Sequence, residues 1–231
     1  MTDIKPIDLS DAQVQFFQAN GFVEIGQIST AQELDWVGEI YDAIITREHG
    51  CAPGVINRED GREDGAEPPR ALVKIMSPEH MAPALKLTSL LCQARQAATR
   101  LLGVDDTALR CGWRFFLKPA HGGETPWHQD AAYRPPPHDG VNIWMPLDPA
   151  TPDNGCMQYI GGSHRGGIRP HIEEGNRLVA MGVDTSHSVE CPLAPGEAIA
   201  HHFRTLHGAR PNQTSRPRRA LVVVCQVASN E

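Results

Sequence analysis

The sequence lacks long apolar runs and an excess of positive charge. No stretch approaches the ~18 consecutive apolar residues that a membrane-spanning helix requires. The formal net charge is −7 and the pI is near 5.9, which argues against the basic stripe of a nucleic-acid-binding surface. The first five residues lack the basic start and apolar core of a signal peptide. We therefore expect a cytoplasmic protein that binds neither nucleic acid nor membrane.

The six cysteines form no Cys-x-x-Cys pair and no closely spaced framework. An even count would permit three disulfides, but a domain of 231 residues can bury enough apolar surface without them. We expect reduced thiols, as in other cytoplasmic proteins.

Helix signals are concentrated in the first part of the chain. Ser10 and Gln13 form the pattern of a capping box and predict a helix to about Asn20. The second such box, Thr30 to Glu33, opens a longer helix with one apolar stripe. A third helix is predicted from about residue 83 to 102.

Short strands bounded by glycine and proline follow Gly103. This order predicts a mostly β fold with flanking α-helices: an antiparallel jelly roll, the cupin-like double-stranded β-helix, with the N-terminal helices packed on one sheet. We expect one domain, with a helical part at about 1–103 and the jelly-roll core at about 104–228. Residues 50–69 read as a surface loop, either a solvated connector or a lid over the substrate.

A histidine and a carboxylate two positions apart, His128 and Asp130, would share one face of a β-strand. They supply two ligands of the 2-His-1-carboxylate triad that holds non-haem Fe(II). His207, ahead of the apolar strand 220–227, is the preferred third ligand. His201 and His202 point to opposite strand faces, so one of them could also face a metal.

Arg218 lies eleven residues after His207, at the start of the last apolar strand. A planar guanidinium is suited to hold a carboxylate through two hydrogen bonds. Adjacent strand residues face opposite ways, so Arg219 is expected to face outward or toward an acidic neighbour. The remaining candidates are interpreted as solvated or capping histidines: His121, His138, His164, His171 and His187.

Five elements in this order resemble the phytanoyl-CoA dioxygenase-like family of Fe(II)- and 2-oxoglutarate-dependent oxygenases, over roughly residues 72–228. They are the segments 127–130, 141–148, 154–157 and 162–166, and His207 together with Arg218. The resemblance implies Fe(II), 2-oxoglutarate and O₂ as cofactor and cosubstrates. It also implies that Arg218, Lys74, Trp144 and Gln129 contact 2-oxoglutarate, although Lys74 alone reads as a snorkelling lysine and Trp144 alone as a core residue.

The implied reaction is hydroxylation of an unactivated C–H bond in a small molecule, with release of succinate and CO₂. Halogenating relatives have a small residue in place of the carboxylate ligand, so Asp130 predicts hydroxylation or a related oxidation: desaturation, epoxidation or cyclisation. Two other readings are a zinc hydrolase with the same three ligands and a jelly-roll binding protein without activity.

The sequence does not identify the substrate. The segments expected to contact it are 50–69, 133–140 and 171–187, and Arg165, Arg169 and Arg177 would suit an acidic group. The chain is short for the family and ends soon after Val227, so we expect an open pocket or one completed by a second subunit of a homodimer.

Overall fold

The structure, a computed structural model, describes residues 6–46, 56–59, 72–134 and 139–228. Three α-helices cover Asp11–Asn20 (α1), Ala31–Thr46 (α2) and Ser89–Leu102 (α3). The strands are Phe22–Gln27 (β1), Ile56–Glu59 (β2), Leu72–Met76 (β3), Leu109–Lys118 (β4), Thr125–His128 (β5), Gly140–Pro146 (β6), Met157–Ile160 (β7), His171–Glu174 (β8), Arg177–Ala180 (β9), Ser188–Cys191 (β10), Glu197–His202 (β11), His207–Ala209 (β12) and Arg218–Val227 (β13).

Two antiparallel sheets face each other in the jelly roll that the sequence predicts. The major sheet has seven strands in the order β1-β11-β6-β13-β4-β3-β2, and the minor sheet has the order β10-β7-β12-β5. Strands β8 and β9 form a separate hairpin. None of the helices in the described ranges is long and apolar enough to cross a membrane.

Strand β13 shows how the sequence divides the interior into two cores. Its residues alternate between the two faces of the sheet. Leu221 and Val223 pack with the three helices in one cluster, whereas Val222 and Val224 pack against the minor sheet in the other. Both faces of β13 are therefore buried, which explains why its residues 220–225 are apolar without interruption. The site described below lies on the inner face.

The helix starts follow the capping patterns of the sequence. The Ser10 side chain accepts from the Gln13 backbone N–H while the Gln13 side chain returns to the Ser10 backbone, as predicted. Thr30 likewise accepts from the Glu33 backbone N–H at 3.1 Å. The Glu33 carboxylate, however, bonds the start of α3 through Ser89, so the second box is half formed and links two helices instead.

Two segment predictions were wrong in part. The third helix begins at Ser89 and not near residue 83, because Pro83–Leu87 form a 3₁₀ turn and Thr88 is extended and caps α3 through the Leu91 N–H. Within the predicted loop 50–69, residues 56–59 form strand β2, which pairs with β3. The rest of that segment, Cys51 and His138 lie outside the described residues.

The prediction that all cysteines are reduced was also wrong. Cys111 on β4 and Cys225 on β13 form a disulfide. They are direct partners in the antiparallel ladder, with Cα atoms 4.2 Å apart. The two residues are 114 positions apart in sequence, and only the strand register brings them together. Cys92, Cys156 and Cys191 are free thiols.

We predict a measurable loss of stability for Tyr41→Phe. Tyr41 on α2 is completely buried, and its hydroxyl donates to the Phe116 carbonyl of β4 at 2.8 Å. Removing one buried hydrogen bond costs about 1 kcal/mol, which urea unfolding followed by circular dichroism would measure. Trp36→Phe on the same helix is the control, because Trp36 is 40% exposed and surface changes cost little. Equal stability of Tyr41→Phe and the wild type would contradict this account of α2 docking.

Candidate metal centre

Two histidines meet across adjacent strands of the minor sheet. His128 at the end of β5 and His207 at the start of β12 are direct partners in the antiparallel ladder. Their ring centroids are 4.2 Å apart, and both residues are buried. Strand pairing therefore brings into contact two residues that lie 79 positions apart in the sequence.

Backbone carbonyls select the tautomer of both rings. Nδ1 of His128 lies 2.8 Å from the Pro126 carbonyl oxygen, and Nδ1 of His207 lies 2.9 Å from the Thr205 carbonyl oxygen. A carbonyl only accepts, so each Nδ1 carries the hydrogen and each neutral ring presents the lone pair of Nε2. This is the usual way in which a metal-binding histidine is oriented.

Asp130 reaches the same point from a turn, not from the strand as predicted. Strand β5 ends at His128, Gln129 is extended, and Asp130 begins a 3₁₀ turn that runs to Tyr133. Oδ2 of Asp130 lies 3.5 Å from Nε2 of His207, and Oδ1 lies 3.9 Å from Nε2 of His128. The extended residue between them puts both side chains on one side, as the strand would have done.

The three side chains form a set of acceptors that calls for a cation. Their ligand atoms all lie within 4.8 Å of one another. Burial, together with neighbouring His128, holds the pKa of His207 well below its ordinary value. Burial acts to raise the pKa of Asp130, but His207 and the hydrogen bond from His201 hold it well below its ordinary value. Two neutral rings and one carboxylate fit Fe(II) in a 2-His-1-carboxylate site.

A second layer of polar residues orients the Asp130 carboxylate. Oδ2 accepts a hydrogen bond from Nδ2 of Asn142 and lies 3.3 Å from Nε2 of His201. His201 is in turn 3.1 Å, through Nδ1, from the hydroxyl of buried Tyr159. Since the Tyr159 hydroxyl has this one acceptor among the described residues, it donates to Nδ1, and Nε2–H of His201 donates to Asp130. The sequence left His201 as a possible ligand; its position beside Asn142 in the β11–β6 register makes it a partner of the ligand.

We predict that Asn142→Ala weakens Fe(II) binding about 10- to 100-fold, the usual cost of losing a partner of a metal ligand. Anaerobic Fe(II) titration measures the affinity, and circular dichroism checks the fold. Gln158→Ala is the control, because the Gln158 amide bonds Glu190, outside the cluster. Unchanged affinity in Asn142→Ala would show that this hydrogen bond does not orient Asp130.

His202 faces away from the metal centre. Its ring packs near Phe17 and His164 and accepts from the Arg204 backbone N–H at 3.0 Å. Burial, with Arg204 as the next cause, lowers the pKa of His202 to about 4. His164, interpreted from sequence as solvated or capping, is half-buried against this ring.

His202 predicts a loss of stability in acid for the metal-free protein. The unfolded chain binds a proton on this ring near pH 6.5, whereas the folded chain does so near pH 4. The contribution of the neutral His202 ring to the free energy of unfolding is thus complete above pH 6.5. It falls as the pH drops toward 4, and at pH 5 it is smaller by about 2 kcal/mol. Urea unfolding of the protein in EDTA should show a smaller loss between pH 7 and pH 5 in His202→Gln than in the wild type or in His187→Gln, which replaces an exposed histidine. Identical pH slopes in all three proteins would contradict the prediction.

Arg218 lines the cavity that also contains the candidate metal centre. The cavity has a volume of about 330 Å³, within the range of small-molecule sites. Arg218 is 3% exposed and its guanidinium lies 5.1 Å from the centroid of the Trp144 ring. Burial lowers the pKa of Arg218 to about 10. Nε and Nη1 have no hydrogen-bond partner in the described part of the chain, so they are open to a ligand.

The neighbouring arginine behaves as predicted. Arg219 points to the opposite face of β13 and pairs with Asp148 at 2.8 Å and Asp42 at 2.9 Å.

Of the other three residues predicted to contact 2-oxoglutarate, two line the cavity and one does not. Lys74 and Trp144 both line the cavity. Gln129 does not: its buried amide donates to the carbonyls of Gly167 and Arg204 and accepts from the Arg169 N–H. The placement of Gln129 does not support a contact with 2-oxoglutarate. Its amide instead links the segment between β5 and the Asp130 turn to two loops.

The chain belongs to the phytanoyl-CoA dioxygenase (PhyH) family, whose profile matches residues 17–220. Among solved structures, EvdO2 from Micromonospora carbonacea var. aurantiaca complexed with 2-oxoglutarate matches with a TM-score of 0.81 and 33% identity, covering 96% of this chain and 92% of that chain. The resemblance inferred from the sequence motifs is thus confirmed, and so is the jelly-roll fold.

Curated relatives agree with this assignment. The probable alpha-ketoglutarate-dependent hypophosphite dioxygenase of Stutzerimonas stutzeri is 32% identical over 117 residues, 46% of this chain and 41% of that protein. Phytanoyl-CoA dioxygenase 1 of Oryza sativa subsp. japonica is 24% identical over 247 residues, 92% of this chain and 87% of that protein. The chain spans less than half the length of the first three curated relatives it matches.

Proposed function

We propose that this protein is an Fe(II)- and 2-oxoglutarate-dependent dioxygenase that hydroxylates an unactivated C–H bond of a small molecule. His128, Asp130 and His207 would hold Fe(II), and Arg218 would bind the far carboxylate of 2-oxoglutarate. When bound, Fe(II) and 2-oxoglutarate would supply, with O₂, the oxidative decarboxylation of 2-oxoglutarate to succinate and CO₂. One oxygen atom of O₂ would enter succinate and the other the substrate. The family assignment supports the class of reaction.

Arg218 is the observation that carries the proposal. A buried cation with unused donors is costly unless an anion completes it, and Arg218 faces the same cavity as the acceptor triad. A carboxylate in the cavity would accept charge-assisted hydrogen bonds from these unused donors. A zinc hydrolase would use the same three ligands but would have no need for this arginine.

The cavity wall around Arg218 is suited to keep water from the bound cosubstrate. Trp144 covers the guanidinium, and the apolar side chains of Val222, Met157 and Phe116 line the same space. In such surroundings a charge pair between guanidinium and carboxylate is stronger than in water. Lys74, whose Nζ lies 5.6 Å from the centroid of the Phe116 ring, would add a second positive charge near the cosubstrate.

The carboxylate ligand favours hydroxylation or a related oxidation over halogenation. Asp130 takes the place that a halide would need, so halogenation is not proposed. Desaturation, epoxidation and cyclisation use the same cofactors and differ only in the fate of the substrate. Product analysis under ¹⁸O₂ separates hydroxylation and epoxidation, which place one labelled oxygen atom in the product, from desaturation and cyclisation, which place none. NMR spectra of the product then distinguish an alcohol from an epoxide.

Anaerobic titration with Fe(II) and then 2-oxoglutarate tests the proposal. We expect the visible metal-to-ligand charge-transfer band of the chelated cosubstrate in the wild type and in His187→Ala, and its loss in His207→Ala. Arg218→Gln should retain the Fe(II) site but bind 2-oxoglutarate at least tenfold more weakly, which corresponds to about 1.4 kcal/mol. If the wild type shows no band and binds Zn(II) tightly instead, the oxygenase proposal is wrong.

Three further predictions from sequence stay proposals. We propose a single domain, supported by one apolar cluster that joins the three helices to the major sheet. We propose a cytoplasmic location from the free thiols Cys92, Cys156 and Cys191, while the Cys111–Cys225 disulfide stands against it. The homodimer stays a prediction, which light scattering of the active protein would check.

A further inference from the structure

Arg114 faces the metal cavity, and no carboxylate of the described residues lies within ion-pair distance of it. It lies on β4 between Met76 of β3 and Val222 of β13, and it lines the cavity together with these neighbours. The side chain is half-buried. Among the described residues, its guanidinium forms no hydrogen bond and no ion pair. A permanently charged group therefore looks into the cavity with its donors available.

Arg134 is another cation on the wall of this cavity. It follows the turn that carries Asp130, and its backbone N–H donates to the Ala131 carbonyl at 3.2 Å. Its Cζ lies 4.2 Å from the centroid of the Phe203 ring, and Nη1 donates to the Gln226 side chain at 3.1 Å. The guanidinium is thus held in place by an aromatic ring and a neutral amide, with no carboxylate paired to it in the described ranges.

The two arginines influence each other. Burial lowers the pKa of Arg114, and the positive charge of Arg134 lowers it further, while Asp130 and Glu79 act in the opposite direction. Burial likewise lowers the pKa of Arg134. Two like charges near each other in a half-buried cavity repel, and an anion between them would relieve both the repulsion and the loss of hydration.

The charges of the proposed cofactors do not neutralise this pair. The two positive charges of Fe(II) and the charge of Arg218 are cancelled by the Asp130 carboxylate and the two carboxylates of 2-oxoglutarate. Arg114 and Arg134 then remain, together with Lys74, as positive charges beside the reaction centre. The net charge of the whole chain is −7, so this positive region is local to the cavity and would draw anions into it.

We propose that Arg114 and Arg134 bind an oxyanion group of the organic substrate, so that the substrate is a small anion with a carboxylate, phosphonate or phosphate group. This inference rests on the proposed function, because it assigns Arg218 to the cosubstrate. Two guanidinium groups match the planar and tetrahedral oxyanions through charge-assisted hydrogen bonds. Binding the anion there would orient the rest of the substrate toward the metal centre.

Arg114 and Arg134 replace the three arginines that the sequence suggested as binding residues for an acidic group of the substrate. Arg165, Arg169 and Arg177 were the sequence candidates for it. Arg165 contacts the Ala19 carbonyl, Arg169 donates to the Gly182 carbonyl at 3.0 Å, and Arg177 pairs with Glu174 at 3.9 Å. None of the three is among the described residues that line the cavity.

Anaerobic calorimetry on the protein loaded with Fe(II) and 2-oxoglutarate tests the proposal. The probes are methylphosphonate and propionate, with propionamide as the uncharged counterpart of propionate. We expect one or both anions to bind, the amide not to bind, and each of Arg114→Gln and Arg134→Gln to lower anion affinity at least tenfold. Arg114→Lys should recover part of the loss. Arg169→Gln, an exposed arginine outside the cavity, is the matched control and should bind like the wild type.

The affinity for 2-oxoglutarate, read from the charge-transfer band in the same variants, distinguishes the two proposals. If the variants bind 2-oxoglutarate within about twofold of the wild-type affinity, Arg114 and Arg134 do not hold the cosubstrate and are available to bind the substrate. If Arg114→Gln weakens 2-oxoglutarate and leaves anion binding unchanged, or if no probe binds the wild type, the anion site is wrong. If the wild type forms no band but still binds the anions through both arginines, the anion site stands and the proposed oxygenase function fails.

Discussion

The site depends on one register of strand pairing, which places His128 directly opposite His207. If either strand shifted by one residue, its histidine would turn to the other face of the sheet. The backbone carbonyls that bond each Nδ1 belong to residues two positions earlier in the same segments, Pro126 and Thr205. Each segment therefore orients its own ring, and strand pairing brings the two rings together.

The remaining parts of the site are arranged around that pair. Asp130 is brought in by the turn after β5, and the turn is held by the bond from the Ala131 N–H to the Phe203 carbonyl at 2.9 Å. Asn142 and His201 come from neighbouring strands of the major sheet and close over the carboxylate. The metal centre thus lies between the two sheets, with ligands from the minor sheet and the turn after it, and their supporting residues mainly from the major sheet.

The alternation of β13 links the fold to the cosubstrate site. The residues of one parity seal the helix-covered face, and the residues of the other parity form the inner wall, which begins with Arg218. Arg219, one residue on, is directed to Asp148 and Asp42 outside. One strand therefore supplies both the apolar residues that support the sheet and a cation in the wall of the cavity.

Spacing and motif resemblance were enough to predict that the side chains of His128, Asp130 and His207 lie together, as well as the fold class and the direction of Arg218. They were not enough where the answer depends on register between distant segments. The Cys111–Cys225 bond is such a case, and so is the place of Arg114, which reads as an ordinary charge in a strand until its neighbours are known. The sequence showed that either His201 or His202 could face a metal. That His201 lies beside Asn142 follows only from the β11–β6 register. The family resemblance implied that Gln129 contacts 2-oxoglutarate, whereas its amide bonds the carbonyls of Gly167 and Arg204.

The most direct test of the central claim is a crystal structure of the protein with Mn(II), as a redox-stable substitute for Fe(II), and 2-oxoglutarate. We predict one metal ion held by Nε2 of His128, Nε2 of His207 and a carboxylate oxygen of Asp130, with the far carboxylate of 2-oxoglutarate on Arg218. His201 should remain bonded to Asp130 and Tyr159. A metal ion with His201 as a fourth protein ligand, and no 2-oxoglutarate at Arg218, would contradict the account and favour a closed zinc-type site.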